Sequence, residues 1–330
     1  MKILITGVAG LIGSNLSKHF LQNKYEIIGI DDLSGGYRDF IPNEVKFYNF
    51  NLLDSKKVDE VFKIEKPDYV YHLAAYAAEG LSPYIRKYNY ENNIICSINI
   101  INACINYGVK KIIFTSSMAV YGEQEPPFIE SLTPTPVDPY GIAKYAVEQD
   151  LREAYQKFNL NYTIVRPHNV IGVNQNIWDR HRNVIGIWIR RIINNQSITI
   201  YGDGLQTRAF SDIKFYMKPF EKLMFEYSND IFNIGADKEF KIIDVAKILQ
   251  KIAFKHGFES EIEYFEPRTE VKHAFCNHNK AKQLLDFKDE TNIEKTIEEM
   301  FLWAVKQPTR EVKNMDYEIE KNMYSFWRNK

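Results

Sequence analysis

The stretch Lys2-Ile3-Leu4-Ile5-Thr6-Gly7-Val8-Ala9-Gly10-Leu11-Ile12-Gly13 decides the fold. It opens as an apolar β-prone run, passes through three glycines spaced three apart, and leads into a helical pattern. Glycines at a strand-to-helix joint allow a tight turn, close approach of the backbone to a pyrophosphate, and close packing of helix on sheet. The free N–H groups and positive end of that helix then suit phosphate. An acidic pair, Asp31-Asp32, closes the second strand-like run 18 residues beyond Gly13. A carboxylate there accepts hydrogen bonds from ribose hydroxyls and repels a 2′-phosphate, which predicts NAD rather than NADP. A Gly-Lys-Ser/Thr phosphate loop is absent, which argues against a nucleotide triphosphatase.

Outward from this motif, strand-like runs at 2–7, 25–31, 45–50, 69–75, 111–117 and 162–167 alternate with helical patterns at 12–22, 55–65, 84–107 and 140–158. Alternation of this kind predicts an α/β fold: a doubly wound parallel sheet with helices on both faces. Beyond residue 166 the pattern loosens. A loop is expected at 170–183, helices at 184–194, 214–226, 241–255, 277–286 and 293–306, and short strands at 197–202, 231–235 and 261–266. The expected organisation is a dinucleotide-binding domain over 1–166 and a smaller α/β lobe over 167–330. Part of the second is expected to cross back to the first, with a cleft between them.

Composition narrows the partners. The 330 residues carry 42 basic and 43 acidic side chains, so there is no polybasic field to collect nucleic acid or anionic lipid. Cys96, Cys104 and Cys276 are too few and too scattered for a disulfide framework or a thiolate metal site. No metal is expected. The most apolar later stretch, 94–105, is broken by Ser97, Asn99 and Asn102, so it is no membrane span. The strand begins directly after Met1-Lys2, leaving no room for a signal peptide. These features predict a cytoplasmic protein with reduced thiols and neither a nucleic-acid nor a membrane partner.

Tyr140-Gly141-Ile142-Ala143-Lys144 follows Pro139 at a helix start. Residues four apart share a helical face, so Lys144 stands beside Tyr140. A phenol of ordinary pKa near 10 is a poor base at neutral pH. A neighbouring ammonium and a positively charged nicotinamide both favour the phenolate, and the expectation is a lowered Tyr140 pKa. Tyr140 then takes a proton from a hydroxyl while hydride leaves the same carbon. Ser117, at the end of the run at 111–117, lies at the carboxyl edge of the sheet and is placed to hydrogen-bond the reacting oxygen.

Together, Gly7-xx-Gly10-xx-Gly13, His72-Leu73-Ala74-Ala75, Thr115-Ser116-Ser117-Met118-Ala119-Val120-Tyr121-Gly122 and Tyr140-xxx-Lys144 resemble the extended short-chain dehydrogenase/reductase family, NAD-dependent epimerase/dehydratase group. Within it the chain is similar to UDP-galactose (UDP-glucose) 4-epimerases. The resemblance implies a catalytic set of Ser117, Tyr140 and Lys144. It implies a cofactor site lined by Gly7, Gly10, Leu11, Ile12, Gly13, Asp31, Asp32, Leu33 and Ser34. Asn51 and Leu52 would flank the adenine, Leu73 to Ala77 (Leu73, Ala74 and Ala75 foremost) the adenosine–pyrophosphate side, Asn92 or Asn93 the far end, and His168 the nicotinamide. Asn51 stands where the family usually has Asp. For a nucleotide-diphosphate sugar, the resemblance implies contacts from Asn169, Asn183, Val184, Arg208 and Arg268, the last in Pro267-Arg268-Thr269-Glu270. It also implies a homodimer through the helices at 84–107 and 140–158.

Residues that are missing narrow the reaction. Met118 and Ala119 stand where 4,6-dehydratases of this group carry an acidic pair, and neither transfers protons. Ala119 also stands where 3,5-epimerases of GDP-mannose carry a cysteine. What remains is hydride transfer with one acid/base. A 4-epimerase is the leading expectation; a net 4-dehydrogenase or ketoreductase, and an epimerase of GDP-sugars, stay open. The pair Ala274-Phe275 falls where the group gates N-acetylated sugars, and the sequence leaves open which of the two forms the gate.

Overall fold

A computed structural model of the chain describes residues 1–268, 271–313 and 315–328. The opening run forms β1 (Lys2–Thr6), whose side chains alternate between two cores: Ile3 and Ile5 enter one, Leu4 the other. Strands β2 (Glu26–Asp31), β3 (Lys46–Asn49), β4 (Tyr69–His72), β5 (Lys111–Thr115) and β6 (Tyr162–Pro167) join it. The run at 231–235 supplies a seventh strand, Asp230–Ile234, which lies beside β6 with Asp230 opposite Thr163 and Ile234 opposite Pro167. Every pairing in this sheet is parallel, in the order Asp230–Ile234, β6, β5, β4, β1, β2, β3. The doubly wound parallel sheet is therefore present. Its order reverses between β1 and β4, and a crevice opens at their carboxyl ends.

Helix α1 (Leu11–Gln22) and the helices Met217–Phe225 and Asn279–Leu285 cover one face through Leu16, Phe20, Phe220, Leu223 and Ala281. Helix α2 (Ser55–Glu65) and the helices Cys96–Asn106 and Pro139–Phe158 cover the other through Phe62, Ile100, Val147 and Leu151. Burial on both faces is what continuous apolar runs such as Ile112-Ile113-Phe114 demand. A third core, around Trp188, Ile189, Leu249, Ile297 and Phe301, joins the helices Val184–Ile193, Ile242–Lys255 and Ile293–Val305.

Two departures from the sequence reading have clear causes. The helix read at 84–107 is a helical turn at Arg86–Tyr90, a π-turn at Glu91–Ile95 and the helix Cys96–Asn106. The wide turn accompanies two inward amides: Asn89 donates to the Pro139 carbonyl, and Asn93 exchanges hydrogen bonds with both backbone groups of Tyr76. Residues 214–216, read as helix, belong to a 3₁₀ turn (Ile213–Tyr216) capped by the Asp212 carboxylate, and Tyr216 is drawn inward by hydrogen bonds to Ser211 and the Ile234 carbonyl.

After Val305 the chain returns across the molecule. Lys313 forms an isolated β-bridge with Asp179, and Met323 and Trp327 pack with Tyr76, Leu81 and Ile85. Among the described residues no helix is long and apolar enough to cross a membrane, and no cluster of His, Cys, Asp and Glu is arranged to hold a metal ion. All three cysteines are free and buried.

Candidate active site

A cleft of about 420 Å³ opens at the carboxyl ends of the strands. Its first wall is the turn between β1 and α1. Gly7 adopts φ +70°, and a Cβ there would lie 2.8 Å from the Ala74 nitrogen, so this turn packs directly on the segment leaving β4. Gly10 ends the turn in an extended conformation and offers no side chain to cap α1. The first intrahelical bond is that of the Ser14 N–H to the Gly10 carbonyl. The N–H groups of Leu11, Ile12 and Gly13 therefore stand at the positive end of the helix without intrahelical acceptors, and all three residues line the cleft.

Asp31 and Asp32 close β2 beside this turn. Asp31 accepts from the Ala9 and Leu33 N–H groups (3.0 and 2.8 Å), and Asp32 from the Ser34 N–H and the Asn51 amide (2.9 and 2.7 Å). Burial raises the Asp31 pKa, opposed by the two N–H donors. Directly after the two acids Leu33 sits at φ +59°, a left-handed conformation that costs a side-chain-bearing residue about 1–2 kcal/mol. The Asn51 carbonyl, expected to meet an adenine amino group, accepts the Leu53 N–H (2.8 Å).

The second wall is the Pro139–Phe158 helix. Asp138 caps it, accepting from the N–H groups of Tyr140 and Gly141 (2.8 and 3.0 Å), with Pro139 in the first turn. Tyr140, Lys144 and Glu148 follow one turn apart, all buried. The Lys144 amine donates to the Thr115 carbonyl (2.8 Å) and lies 6.0 Å from the centre of the Tyr140 ring. Burial pushes Lys144 down to about 7, while Glu148 pulls it up. The expected lowering of the Tyr140 pKa does not occur in this geometry: burial dominates and raises it, with Glu79 and Asp138 adding to the rise and a hydrogen bond with Ser117 opposing it. The hydrogen bond the amine makes is to a backbone carbonyl and not to the phenol. Ser117 accepts the Ala119 N–H (3.1 Å) at the start of the turn Met118–Tyr121.

Behind this wall Glu148 and Arg166 form a wholly buried ion pair, with Glu148 also accepting from the Ser116 hydroxyl. His168 lines the far end of the cleft, wedged between Gly235, where a Cβ would lie 2.0 Å from its ring, and His278, stacked at 5.0 Å. Burial pushes His168 down to about 3, so the ring is neutral. Its Nδ1, the Asn169 amide nitrogen and the Gln175 carbonyl oxygen are buried cleft-lining atoms without protein partners.

The cleft thus gathers Gly7, Gly10, Leu11, Ile12, Gly13, Asp31, Asp32, Ser34, Asn51, Leu52, Leu73, Ala74, Ala75, Asn92, Ser117, Tyr140, Lys144, His168, Asn169, Asn183 and Arg208. Asn93 instead serves the Tyr76 backbone. Leu33, Val184 and Arg268 do not line the cleft, contrary to expectation. Leu33 is the apex of the turn behind Asp31, and Val184 opens the helix that Asn183 caps. The Arg268 guanidinium lies 3.5 Å over the Tyr201 ring and near Phe326 and Trp327. Thr269 and Glu270 of its motif lie outside the described residues.

Sequence reasoning missed Glu79, Asp138 and Arg182. Arg182 pairs with Asp179 (3.0 Å), lies 5.0 Å over Tyr76 and abuts Gly35. Its place directly before the helix-capping Asn183 was the available signal. Of the two gate candidates, Ala274 lines the cleft and Phe275 does not.

Known proteins extend this picture. The family model described as the NAD dependent epimerase/dehydratase family matches residues 3–235. The chain belongs to that family. A putative UDP-glucose 4-epimerase of Methanocaldococcus jannaschii is 33% identical over 306 residues, 91% of this chain and 97% of that protein. The crystal structure of UDP-glucose 4-epimerase with UDP-glucose from Thermotoga maritima superposes with TM-score 0.86 at 31% identity, covering 92% of this chain and 98% of that one. UDP-N-acetylglucosamine 4-epimerase from Methanobrevibacter ruminantium M1, in complex with UDP-N-acetylmuramic acid, gives 0.83 at 29% identity with the same coverage. This epimerase/dehydratase chain is therefore similar to nucleotide-sugar 4-epimerases over nearly its whole described length.

Proposed function

We propose that the chain is an NAD-dependent nucleotide-sugar 4-epimerase acting on UDP-hexoses and their N-acetyl forms. The observation that carries this reading is the continuity of one cleft from the uncapped start of α1, past Asp31 and Asp32, to the set Ser117, Tyr140 and Lys144. The residues fit a dinucleotide: free N–H groups for its pyrophosphate, two acids for its ribose, and unpartnered buried polar atoms at His168, Asn169 and Gln175. NAD, when bound, supplies a hydride acceptor that returns the hydride.

Tyr140 takes the proton of the 4-hydroxyl and later gives it back. Ser117 hydrogen-bonds the same oxygen and holds it toward the phenol. Lys144, at one helical turn, adds positive charge that favours the phenolate once the cleft is filled. Arg208 supplies a planar fork for the diphosphate. Met118, Ala119 and Ala274 give the sugar end a floor without proton-transferring groups, which suits a 4-keto sugar that must turn over. The small Ala274 at the wall favours acceptance of a 2-acetamido group. Homodimerisation through the helical run 86–106 and the Pro139–Phe158 helix is supported by Ile95 and Ile142, which are exposed there, and light scattering tests it.

Incubation with UDP-glucose, UDP-N-acetylglucosamine and GDP-mannose, followed by NMR of the anomeric protons, tests the activity. The expected result is interconversion of C4 epimers of the UDP-sugars without net reduced cofactor. Tyr140→Phe is expected to lower kcat about 10²–10⁴-fold while still holding NAD. Accumulation of reduced nicotinamide would assign a net dehydrogenase instead, and no turnover of any nucleotide sugar by NAD-loaded protein would overturn the reading.

A further inference from the structure

The segment after Val305 reaches a wall of the cleft that the second lobe does not build. The Lys313 ammonium donates to the carbonyl oxygens of Leu33 (2.9 Å) and Ser34 (3.0 Å). Three residues earlier, Arg310 lies 3.9 Å over the Tyr37 ring and 5.0 Å from that of Trp178, and pairs with Asp39. The Lys313 backbone bridges to Asp179, whose carboxylate holds Arg182 against the same turn. This strap lies outside residues 3–235, the part that matches the family.

The turn it grips carries Asp31 and Asp32 and has Leu33 at φ +59°. A leucine stays in the left-handed region only where its surroundings over-determine it. Three side chains do so here, Asp32 among them through the Ser34 N–H (2.9 Å). Asp31 accepts the Leu33 N–H (2.8 Å), and Lys313 takes the two carbonyls that follow. Without Lys313 only the two carboxylates, both on the N–H side, would hold the turn, and relaxation of Leu33 would carry away the geometry in which Asp31 is presented.

We propose that Lys313 is a positioning residue for the cofactor: it locks the Leu33–Ser34 turn so that Asp31 and Asp32 meet the adenosine ribose already oriented. This rests on the reading of Asp31 and Asp32 as the ribose end of the NAD site. Protein stripped of cofactor is titrated with NAD by calorimetry, and NAD release is timed from loaded protein. Lys313→Ala is expected to weaken NAD binding about tenfold, mainly through faster release, with the KM for the sugar nucleotide and the Tm of the NAD-free protein nearly unchanged. Lys313→Arg is expected to restore binding to within about threefold, since it keeps the charged donor. The strain term is isolated by Leu33→Gly, because glycine enters the left-handed region freely. In that background Lys313→Ala is expected to cost less than about threefold. An unchanged NAD affinity in Lys313→Ala, or an equal loss in the Leu33→Gly background, overturns the strap. Failure of the unaltered protein to bind NAD overturns the cofactor site itself and the proposal with it.

Discussion

Replacing Glu148 by Gln tests the frame on which the Tyr140 helix rests. Glu148 and Arg166 are both 0% exposed, and the guanidinium donates to the carboxylate from Nε (2.9 Å) and Nη2 (2.5 Å). Removing one partner leaves an uncompensated buried charge, which costs about 3–5 kcal/mol. The Tyr121 ring, 4.7 Å from the guanidinium, offsets only part of this. At about 2.1 cal/mol/K of unfolding entropy per residue, that loss lowers the Tm of a chain of 330 residues by about 4–7 °C. Calorimetric melts at pH 7 of Glu148→Gln, Arg166→Met and the double variant Glu148→Met/Arg166→Met provide the assay. Each single change is expected to show the full drop. The double is expected to recover most of it, because a buried pair replaced by apolar groups of similar volume is often neutral. Glu148 also pulls the Lys144 pKa up against burial, so Glu148→Gln extends the pH range in which Lys144 is neutral and shifts the pH profile of turnover. Single variants that melt within about 1 °C of the parent, or a double no better than the worse single, would refute the reasoning.

Three further outcomes follow from the same geometry. Gly235→Ala would put a Cβ 2.0 Å from a His168 ring already stacked on His278, and is expected to cost about 1–3 kcal/mol, read as a lower Tm and weaker NAD retention. Burial pushes His72 and His168 each down to about 3, so both are neutral in the folded chain. Their contribution is complete above the unfolded value near 6.5 and is lost as the pH falls from there toward 3, about 2 kcal/mol each by pH 5; His168→Phe is expected to flatten about half of that slope in melts across the range. Ala274→Tyr is expected to lower kcat/KM for UDP-N-acetylglucosamine at least about tenfold while holding UDP-glucose within about threefold, measured with both substrates in competition.

Local rules made much of the architecture legible. The glycine turn, the acid closing β2, and the Pro139 start of the Tyr140 helix all act within a few residues, where chain geometry is decided by the residues themselves. The short apolar run at 231–235 announced a strand but carried no information about which sheet would accept it. The π-turn at Glu91–Ile95 was invisible because its partners, Tyr76 and the Pro139 carbonyl, are distant in the chain. Arg268 misled for a similar reason: the rings that occupy its guanidinium come from Tyr201 and from the last residues of the chain. The direction of the Tyr140 shift depended on how deeply the packed fold buries the phenol, which the local pattern does not carry.

The late arrival of Asp230–Ile234 beside β6 has a consequence for biosynthesis. Until residues 230–234 have emerged from the ribosome, β6 is an edge strand, and Val165 on its one face lacks Phe232 as a neighbour. A nascent or truncated form ending near residue 167 would expose a sticky, strand-ready rim. The seven-stranded sheet is thus finished by a segment that leaves the ribosome long after its sixth strand.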